Sequence, residues 1–119
     1  MTDTATPTQA ITQTKTFEVT DSTGRQIRCR DLGALEGYRL LKAMGAHSSN
    51  SGAVRYAQIA TSVTHIDGAP LSGATSDRDI EDVLKRLGDE GFLAVYAETE
   101  ARATAALEAA QAALAAAKN

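Results

Sequence analysis

Two histidines are the side chains of this sequence that come closest to catalytic or metal-binding chemistry. His65 stands two residues before Asp67, so the two could form a proton-transfer pair. His47 stands in a Ser-rich loop, and neither histidine has a second His or a Cys at zinc-ligand spacing. A surface His beside a turn Asp is far commoner than a catalytic pair. We therefore expect no catalytic residue and no metal site.

Two polar stretches could bind a charged ligand, but each has a simpler explanation. Four acidic side chains open a predicted helix, where the helix dipole favours negative charge, and they lack the Asp-x-Asp-x-Asp-Gly pattern of a calcium loop. The loop over residues 45–52 lacks the Lys-Ser/Thr pair with which a P-loop binds phosphate. We expect no cofactor and no enzymatic activity, and a ligand-binding use of residues 47–52 is the weakest alternative. The four acidic residues are Asp77, Asp79, Glu81 and Asp82.

The composition describes a small domain with a weak core. Aromatic residues make up 4% of the 119-residue chain, Trp is absent, and much of the 43% hydrophobic content is alanine near the C-terminus. Burying alanine removes little apolar area from water. A domain of this size is marginal on its own, so we expect a homo-oligomer or a partner protein.

Charge and cysteine content exclude several classes of function. The net charge of −3 argues against nucleic acid, and the basic cluster of Arg25, Arg28 and Arg30 reads more simply as a solvated strand face. The single Cys29 excludes an internal disulfide and fits a reducing cytoplasm. The sequence has neither a signal-peptide pattern nor the roughly 18 apolar residues of a membrane span.

A β-hairpin is predicted after an N-terminal leader. Residues 1–14 are rich in Thr and Gln and cannot bury enough apolar surface to offset the entropy of ordering, so we expect a disordered leader. Phe17 and Val19 then alternate with polar residues, and Ile27 and Cys29 do the same after an Asp…Gly turn. This hairpin is expected to open a small domain over residues 15–100 and to pack on its helices.

Two helical patterns follow the hairpin. The first is expected to start at Asp31 as N-cap and to end at Gly45. The second is expected over about residues 53–62, followed by extended backbone and a turn at Asp67 and Gly68. The apolar positions are Ala34, Leu35, Tyr38, Leu40, Leu41 and Met44 in the first helix and Tyr56, Ile59, Ala60 and Val63 on the buried face of the second.

A third helix and a long C-terminal helix complete the predicted fold. Ser76 and Asp79 approximate a capping box, and Gly88 ends the third helix, so that Asp89 can cap the next one at once. So short a link predicts a helical hairpin or a sharp bend. The predicted fold is mainly α, a small helical domain with an N-terminal β-hairpin and a long Ala-rich C-terminal helix. The buried stripe of the third helix is Ile80, Val83, Leu84 and Leu87.

The Ala-rich tail over residues 101–119 has helix-forming composition but few large side chains. Leu107 and Leu114 stand seven residues apart, which could form a sparse seam for another helix; the alternative is a solvated, frayed helix. Before the tail, Phe92, Val95 and Tyr96 stand at core spacing. The candidate partner-binding residues are Phe92, Val95, Tyr96, Leu107 and Leu114, although core positions explain the first three more simply.

Three stretches, in the same order over residues 15–100, carry a family resemblance. They are Phe17-Glu18-Val19-Thr20-Asp21 to Asp31-Leu32 with Tyr38-Arg39-Leu40-Leu41-Lys42, then Ala60-Thr61-Ser62-Val63-Thr64-His65-Ile66-Asp67-Gly68-Ala69-Pro70, and Ile80-Glu81-Asp82-Val83-Leu84 with Leu87-Gly88-Asp89-Glu90-Gly91. Together they resemble the phage tail assembly chaperones of long-tailed phages and prophages. The leader and the Ala-rich tail lie outside the resemblance.

The resemblance implies a non-enzymatic protein of the host cytoplasm. Such chaperones keep the tape-measure protein soluble while the tail tube assembles around it, and they are absent from the mature virion. The tail tube protein could be a second partner. The family has no catalytic, metal or cofactor residues to transfer. An alternative is a structural tail or head–tail component that self-assembles through its C-terminal helix.

Many of these chaperones also exist as a longer, frameshifted isoform. Ala117-Lys118-Asn119 could be encoded GCA AAA AAC, which contains a slippery heptamer, although other codons serve equally well. The last codons of the gene would test this expectation.

Overall fold

An antiparallel sheet and three α-helices form the part of the chain that the structure, a computed structural model, describes: residues 15–71, 73 and 76–117. The predicted leader over residues 1–14 lies outside the described residues. The mainly helical class, with an N-terminal hairpin and a long C-terminal helix, is confirmed. The elements are β1 (Thr16–Thr20), β2 (Gln26–Arg30), α1 (Ala34–Met44), a 3-10 helix (Gly45–Ser49), α2 (Ser51–Ser62), β3 (Val63–Ile66), β4 (Ala69–Pro70) and α3 (Asp77–Ala117).

Strands β1 and β2 form the predicted hairpin. Phe17 faces Cys29 and Val19 faces Ile27 in the antiparallel register. The two β2 side chains are fully buried, whereas Phe17 and Val19 on the edge strand are partly buried. Alternating side chains along a strand point to opposite faces, so one face of the hairpin enters the core.

The sheet is larger than the sequence predicted. Strand β3 pairs antiparallel with β2, and β4 pairs with β3, giving the order β1-β2-β3-β4. Asp67 and Gly68 join β3 to β4 with φ angles of 49° and 80°. Two consecutive positive φ angles are those of a type I′ hairpin turn. The extended segment and its turn were therefore predicted, but the pairing of β3 with β2, which are far apart in sequence, was not.

The core lies between one face of the sheet and the three helices. Helix α2 packs on α3, and α3 also contacts β1 and β2. The largest fully buried side chains are Ile27, Cys29, Ile59, Leu87 and Val95, which come from β2, α2 and α3. These five residues hold the two parts of the chain, sheet and helices, against each other.

Helix α1 differs from its prediction in both its cap and its buried face. Its N-cap is Gly33, which makes no side-chain cap, and Asp31 binds Arg102 instead. Leu40 and Met44 are buried, whereas the other four predicted apolar positions are exposed, because α1 packs on the neighbouring α2 and turns a narrow face to the core. The exposed residues are Ala34, Leu35, Tyr38 and Leu41. Gly45 ends the helix, as predicted, with a φ of 58°.

Helix α2 begins at Ser51, earlier than predicted, because Asn50 caps it. The Asn50 side chain accepts a hydrogen bond of 3.1 Å from the backbone N–H of Ala53. The preceding segment, predicted as a loop, is a 3-10 helix. Ile59 and Ala60 are buried as predicted, but Tyr56 lies on the surface.

Helix α3 is broken once, at Gly88, whose φ of 63° and ψ of −178° are not helical. The first part, residues 77–87, is capped by the Ser76 hydroxyl, which accepts a hydrogen bond of 3.2 Å from Asp79 N–H, as predicted. Ile80, Val83 and Leu87 form the predicted buried stripe, with Leu84 partly buried. The link at Gly88 is thus a kink, and the helix continues to Ala117.

Candidate partner-binding surface

The β1–β2 turn anchors the kink at Gly88. The Arg25 guanidinium donates a hydrogen bond of 2.8 Å from Nη1 to the carbonyl of Arg86 and another from Nη2 to the carbonyl of Leu87. The last carbonyls of a helix lack helical partners and carry partial negative charge, so a cation there is favourable. Arg25 therefore caps the first part of α3 and ties it to the hairpin.

Asp21 holds Arg25 in this position. Its nearly inaccessible carboxylate accepts a 2.8 Å hydrogen bond from Arg25 Nε and a 2.6 Å hydrogen bond from the Thr23 hydroxyl. The Thr23 hydroxyl, together with the donors of Arg25, lowers the pKa of Asp21 to about 2, although burial acts in the opposite direction. The carboxylate thus stays charged and keeps the guanidinium oriented toward α3.

Beyond the kink, α3 lies close to the sheet at Gly91, where any side chain would be tightly confined. A Cβ added at Gly91 would lie 3.0 Å from Arg25 Nη2 and 3.3 Å from Ile27 Cδ1. This contact fixes which face of the second part of α3 lies against β2.

An aromatic cluster lies where α2 and α3 meet at the surface. The rings of Tyr56 and Phe92 stack with centroids 4.6 Å apart, and Phe92 and Tyr96 follow at 6.1 Å. Tyr56 is 54% exposed, Tyr96 36% and the adjacent Leu93 63%. A shallow cleft of about 360 Å³ runs between Tyr56, Leu93 and the backbone at Gly88. Large apolar side chains this exposed are typical of a binding surface.

The aromatic cluster continues along α3 as an apolar stripe, defined here as Leu93, Tyr96, Leu107 and Leu114. Leu107 and Leu114 are 60% and 61% exposed. At about 100° per residue, the four side chains lie within about 60° of one another around the helix. Glu100 interrupts the stripe, but its carboxylate pairs with Arg55 from α2.

The five predicted partner-binding residues divide between surface and core. Leu107, Leu114 and Tyr96 lie on the apolar stripe, and Phe92 is partly buried beneath it. Val95 is fully buried in the core, which is the simpler explanation that its spacing allowed, and its side chain is not available to a partner.

Two exposed residues of this surface, Tyr56 and Leu93, were not among the five predicted from sequence spacing. A signal for Leu93 exists, because it precedes Leu107 by two heptads. Tyr56 carried no such signal, since its own helical pattern placed it on a buried face. Its exposure follows from the tertiary packing of α2 against α3.

A second apolar depression lies between α3 and the hairpin. It runs between Phe17, Leu32, Thr99 and Ala103, where overlapping cavities measure about 300 and 530 Å³. The Arg102 guanidinium lies 4.4 Å from the centroid of the Phe17 ring. Within the described residues, the buried atoms Thr99 Oγ1 and Arg102 Nε have no hydrogen-bond partner. This groove could accept an apolar side chain together with a polar group.

The candidate chemical residues do not assemble into a reactive site. His65 Nδ1 lies 2.9 Å from the Thr64 hydroxyl, while the Asp67 carboxylate accepts a hydrogen bond of 2.8 Å from Gln26 N–H. His47 Nε2 lies 3.4 Å from a carboxylate oxygen of Asp77, with both side chains largely exposed. Among residues 15–71, 73 and 76–117, no three His, Cys, Asp or Glu side chains are grouped as a metal site requires.

No protein-family model, curated protein or solved structure matches this chain. Over the part of the chain that the structure describes, no helix combines the length and the apolar character of a membrane span.

Proposed function

We propose that this protein is a phage tail assembly chaperone that binds the tape-measure protein and keeps it soluble in the host cytoplasm while the tail tube assembles. The observation that carries the proposal is the apolar stripe, continuous with the aromatic cluster around Tyr56, on a helix that the domain leaves exposed. The ordered motifs over residues 15–100 support the same family.

The stripe suits an amphipathic helix of a client protein. Such a helix docks through residues spaced three, four and seven apart, and a row of large side chains at the same period is complementary to it. The stripe has only four large side chains, which favours reversible binding, and a chaperone that is displaced from its client needs reversibility. The tail tube protein is a second proposed partner.

Co-expression with the tape-measure gene of the same phage or prophage tests the proposal. We expect most tape measure to be soluble with the wild-type chain and the soluble fraction to fall several-fold with Leu107→Glu, because a charge enters the middle of the stripe. Ala109→Glu, on the opposite face of the same exposed helix, is the matched control and should retain solubility. Equal solubility of tape measure with and without this protein would contradict the proposal.

The exposed C-terminal helix also favours a second candidate, a structural tail or head–tail component that self-assembles through this helix. Mass spectrometry of purified virions separates the two functions. A chaperone should be absent from the particle, whereas a structural component should be present in many copies.

A further inference from the structure

The last turns of α3 have the composition of a buried helix but are exposed on every side. Residues 103–117 contain ten alanines, two leucines and a single charged side chain, Glu108. Every residue from Ala103 to Ala117 is nevertheless exposed. A helix that is apolar all round is normally covered by other protein. In this part of the chain the domain itself supplies no cover.

We propose that the cover is a second copy of this chain, paired antiparallel along α3. The seam is the apolar stripe together with the residues that complete its alternating three- and four-residue spacing. Its eight positions are Leu93, Tyr96, Glu100, Ala103, Leu107, Ala110, Leu114 and Ala117. Such spacing forms a row of knobs that can insert into the holes of a facing helix.

The seam is complementary to itself in the antiparallel direction. When residue 93 of one copy lies opposite residue 117 of the other, the two-fold axis passes beside residue 105 and all eight positions are paired. Three of the four kinds of layer then place a larger side chain against alanine, which is how packed helices fill space. The layers are Leu93–Ala117, Glu100–Ala110, Leu107–Ala103 and Tyr96–Leu114.

A parallel pair is less favourable. It would set Glu100 against Glu100 of the second copy, and like charges that face each other repel. It would also place leucine against leucine in some layers and alanine against alanine in others, leaving gaps in the latter. The antiparallel pair sets Glu100 against Ala110 and opposes the two helix dipoles.

The size of the seam predicts a weak dimer. Residues 93–117 span about 36 Å, and a strip one helix wide, about 10 Å, covers about 400 Å² on each copy. That is about half of the roughly 800 Å² per partner in a stable interface, so we expect a weak dimer that dissociates on dilution. Alanines allow the close backbone approach that such a narrow contact needs.

Sedimentation equilibrium of the purified full chain, from about 5 μM to 1 mM, tests the dimer. We expect Leu107→Glu to raise the dissociation constant at least tenfold, whereas Ala109→Glu on the opposite face should change it less than twofold. Both positions are exposed, so far-UV circular dichroism should show folded protein in each case. A wild-type chain that stays monomeric at 1 mM, or equal effects of the two variants, would overturn the proposal.

Spin labels test the direction. With one label on the introduced cysteine of each Ala115→Cys copy, the two labels should lie about 30 Å apart in the antiparallel dimer and about 10 Å apart in a parallel one. A dominant separation near 10 Å would overturn the proposal, because residue 115 of one copy would then lie beside residue 115 of the other, as in a parallel pair.

The dimer uses the same helix face as the proposed function but needs no client. Self-association is measured on the isolated chain, and client binding by tape-measure solubility, so either can fail alone. If the chain is monomeric but keeps tape measure soluble, the dimer proposal fails and the proposed binding of the client helix to the stripe stands.

Discussion

The carboxylate of Asp21 accepts four hydrogen bonds from only two residues, Thr23 and Arg25. Through Arg25 it reaches the carbonyls that precede the kink in α3, so one acidic side chain organises the contact between hairpin and helix. Nothing in its sequence position marks it, since Asp in a turn ordinarily bonds only its own backbone neighbours.

This arrangement predicts a pH dependence of stability. Because the folded pKa of Asp21 is lowered from 3.8 to about 2, its charged form stabilises the fold above about pH 4, and this contribution is lost as the pH falls toward 2. Urea unfolding of the wild type should therefore show a falling midpoint between pH 4 and 2, and Asp21→Asn should have a lower midpoint at neutral pH and a flatter profile. The exposed Glu81→Gln should keep the wild-type profile; an unchanged slope in Asp21→Asn would refute the prediction.

Cys29 offers a second test at the scale of single residues. Burial raises the pKa of its thiol to about 12, partly offset by a hydrogen bond with the Ser62 hydroxyl, and the side chain is fully inaccessible. Since the thiolate is the reactive form, we expect no reaction with a thiol reagent in the native state at pH 8 and full reaction in urea. A cysteine introduced as Ala109→Cys should react at once in the native protein. Rapid native reaction of Cys29 itself would show that the β2 face of the core is open.

At the scale of elements, the kink at Gly88 divides α3 into a first part, which contributes Ile80, Val83 and Leu87 to the core, and a second part, which contributes Val95 and also carries the apolar stripe. Its backbone conformation is one that residues with a Cβ rarely adopt. Arg25 binds the carbonyls just before it, and Gly91 lies against the sheet just after it. The direction of the exposed helix is therefore set within a few residues.

Replacing Gly88 with alanine should destabilise the fold by about 1–3 kcal/mol, the usual range for strained backbone. Gly37→Ala is the matched control, because Gly37 lies in helical backbone with no neighbour near its missing Cβ; it should stabilise α1 by about 0.5–1 kcal/mol. Guanidinium unfolding of the two variants measures both values. A stabilising Gly88→Ala would mean that α3 can straighten at this point.

Local signals account for most of what the sequence predicted about these elements. The hairpin, the Asp67–Gly68 turn, the Ser76 cap and the break at Gly88 each depend on residues close together in the chain. The pairing of β3 with β2 depends on residues about 40 positions apart, and local patterns do not record it. Helix α1 has apolar residues on two sides, and only its tertiary neighbours decide that Leu40, and not Leu41, is buried.

The candidate partner surface illustrates the same limit of local patterns. Heptad spacing selected Leu107 and Leu114, and core spacing selected Tyr96. Core spacing also selected Val95, because adjacent positions differ by only about 100° around a helix and the sequence does not say which one faces the sheet. Tyr56 could be added only once α2 was placed beside α3.

For the molecule as a whole, the small core and the exposed end of α3 are separate, because the exposed end contributes no buried side chain to the core. The described part of the chain has principal extents of 48 × 38 × 27 Å, an elongated outline for so few residues. The buried side chains all lie between residues 27 and 95, apart from the polar Asp21. Substitutions on the exposed end of α3 should therefore alter the proposed client binding and self-association, while the unfolding curves of the variants stay nearly unchanged.

The length of the exposed end of α3 can also change without affecting the rest of the fold. Because the segment from Ala103 to Ala117 buries nothing in the core, adding or removing residues there leaves the domain intact. Seven residues would lengthen or shorten the row of leucines by one repeat and keep it on the same face. Three or four residues would instead turn everything beyond the insertion by roughly 40–60° about the helix axis. The tail thus behaves as a rod that can be extended in steps of seven, with each step changing its reach by about 10 Å.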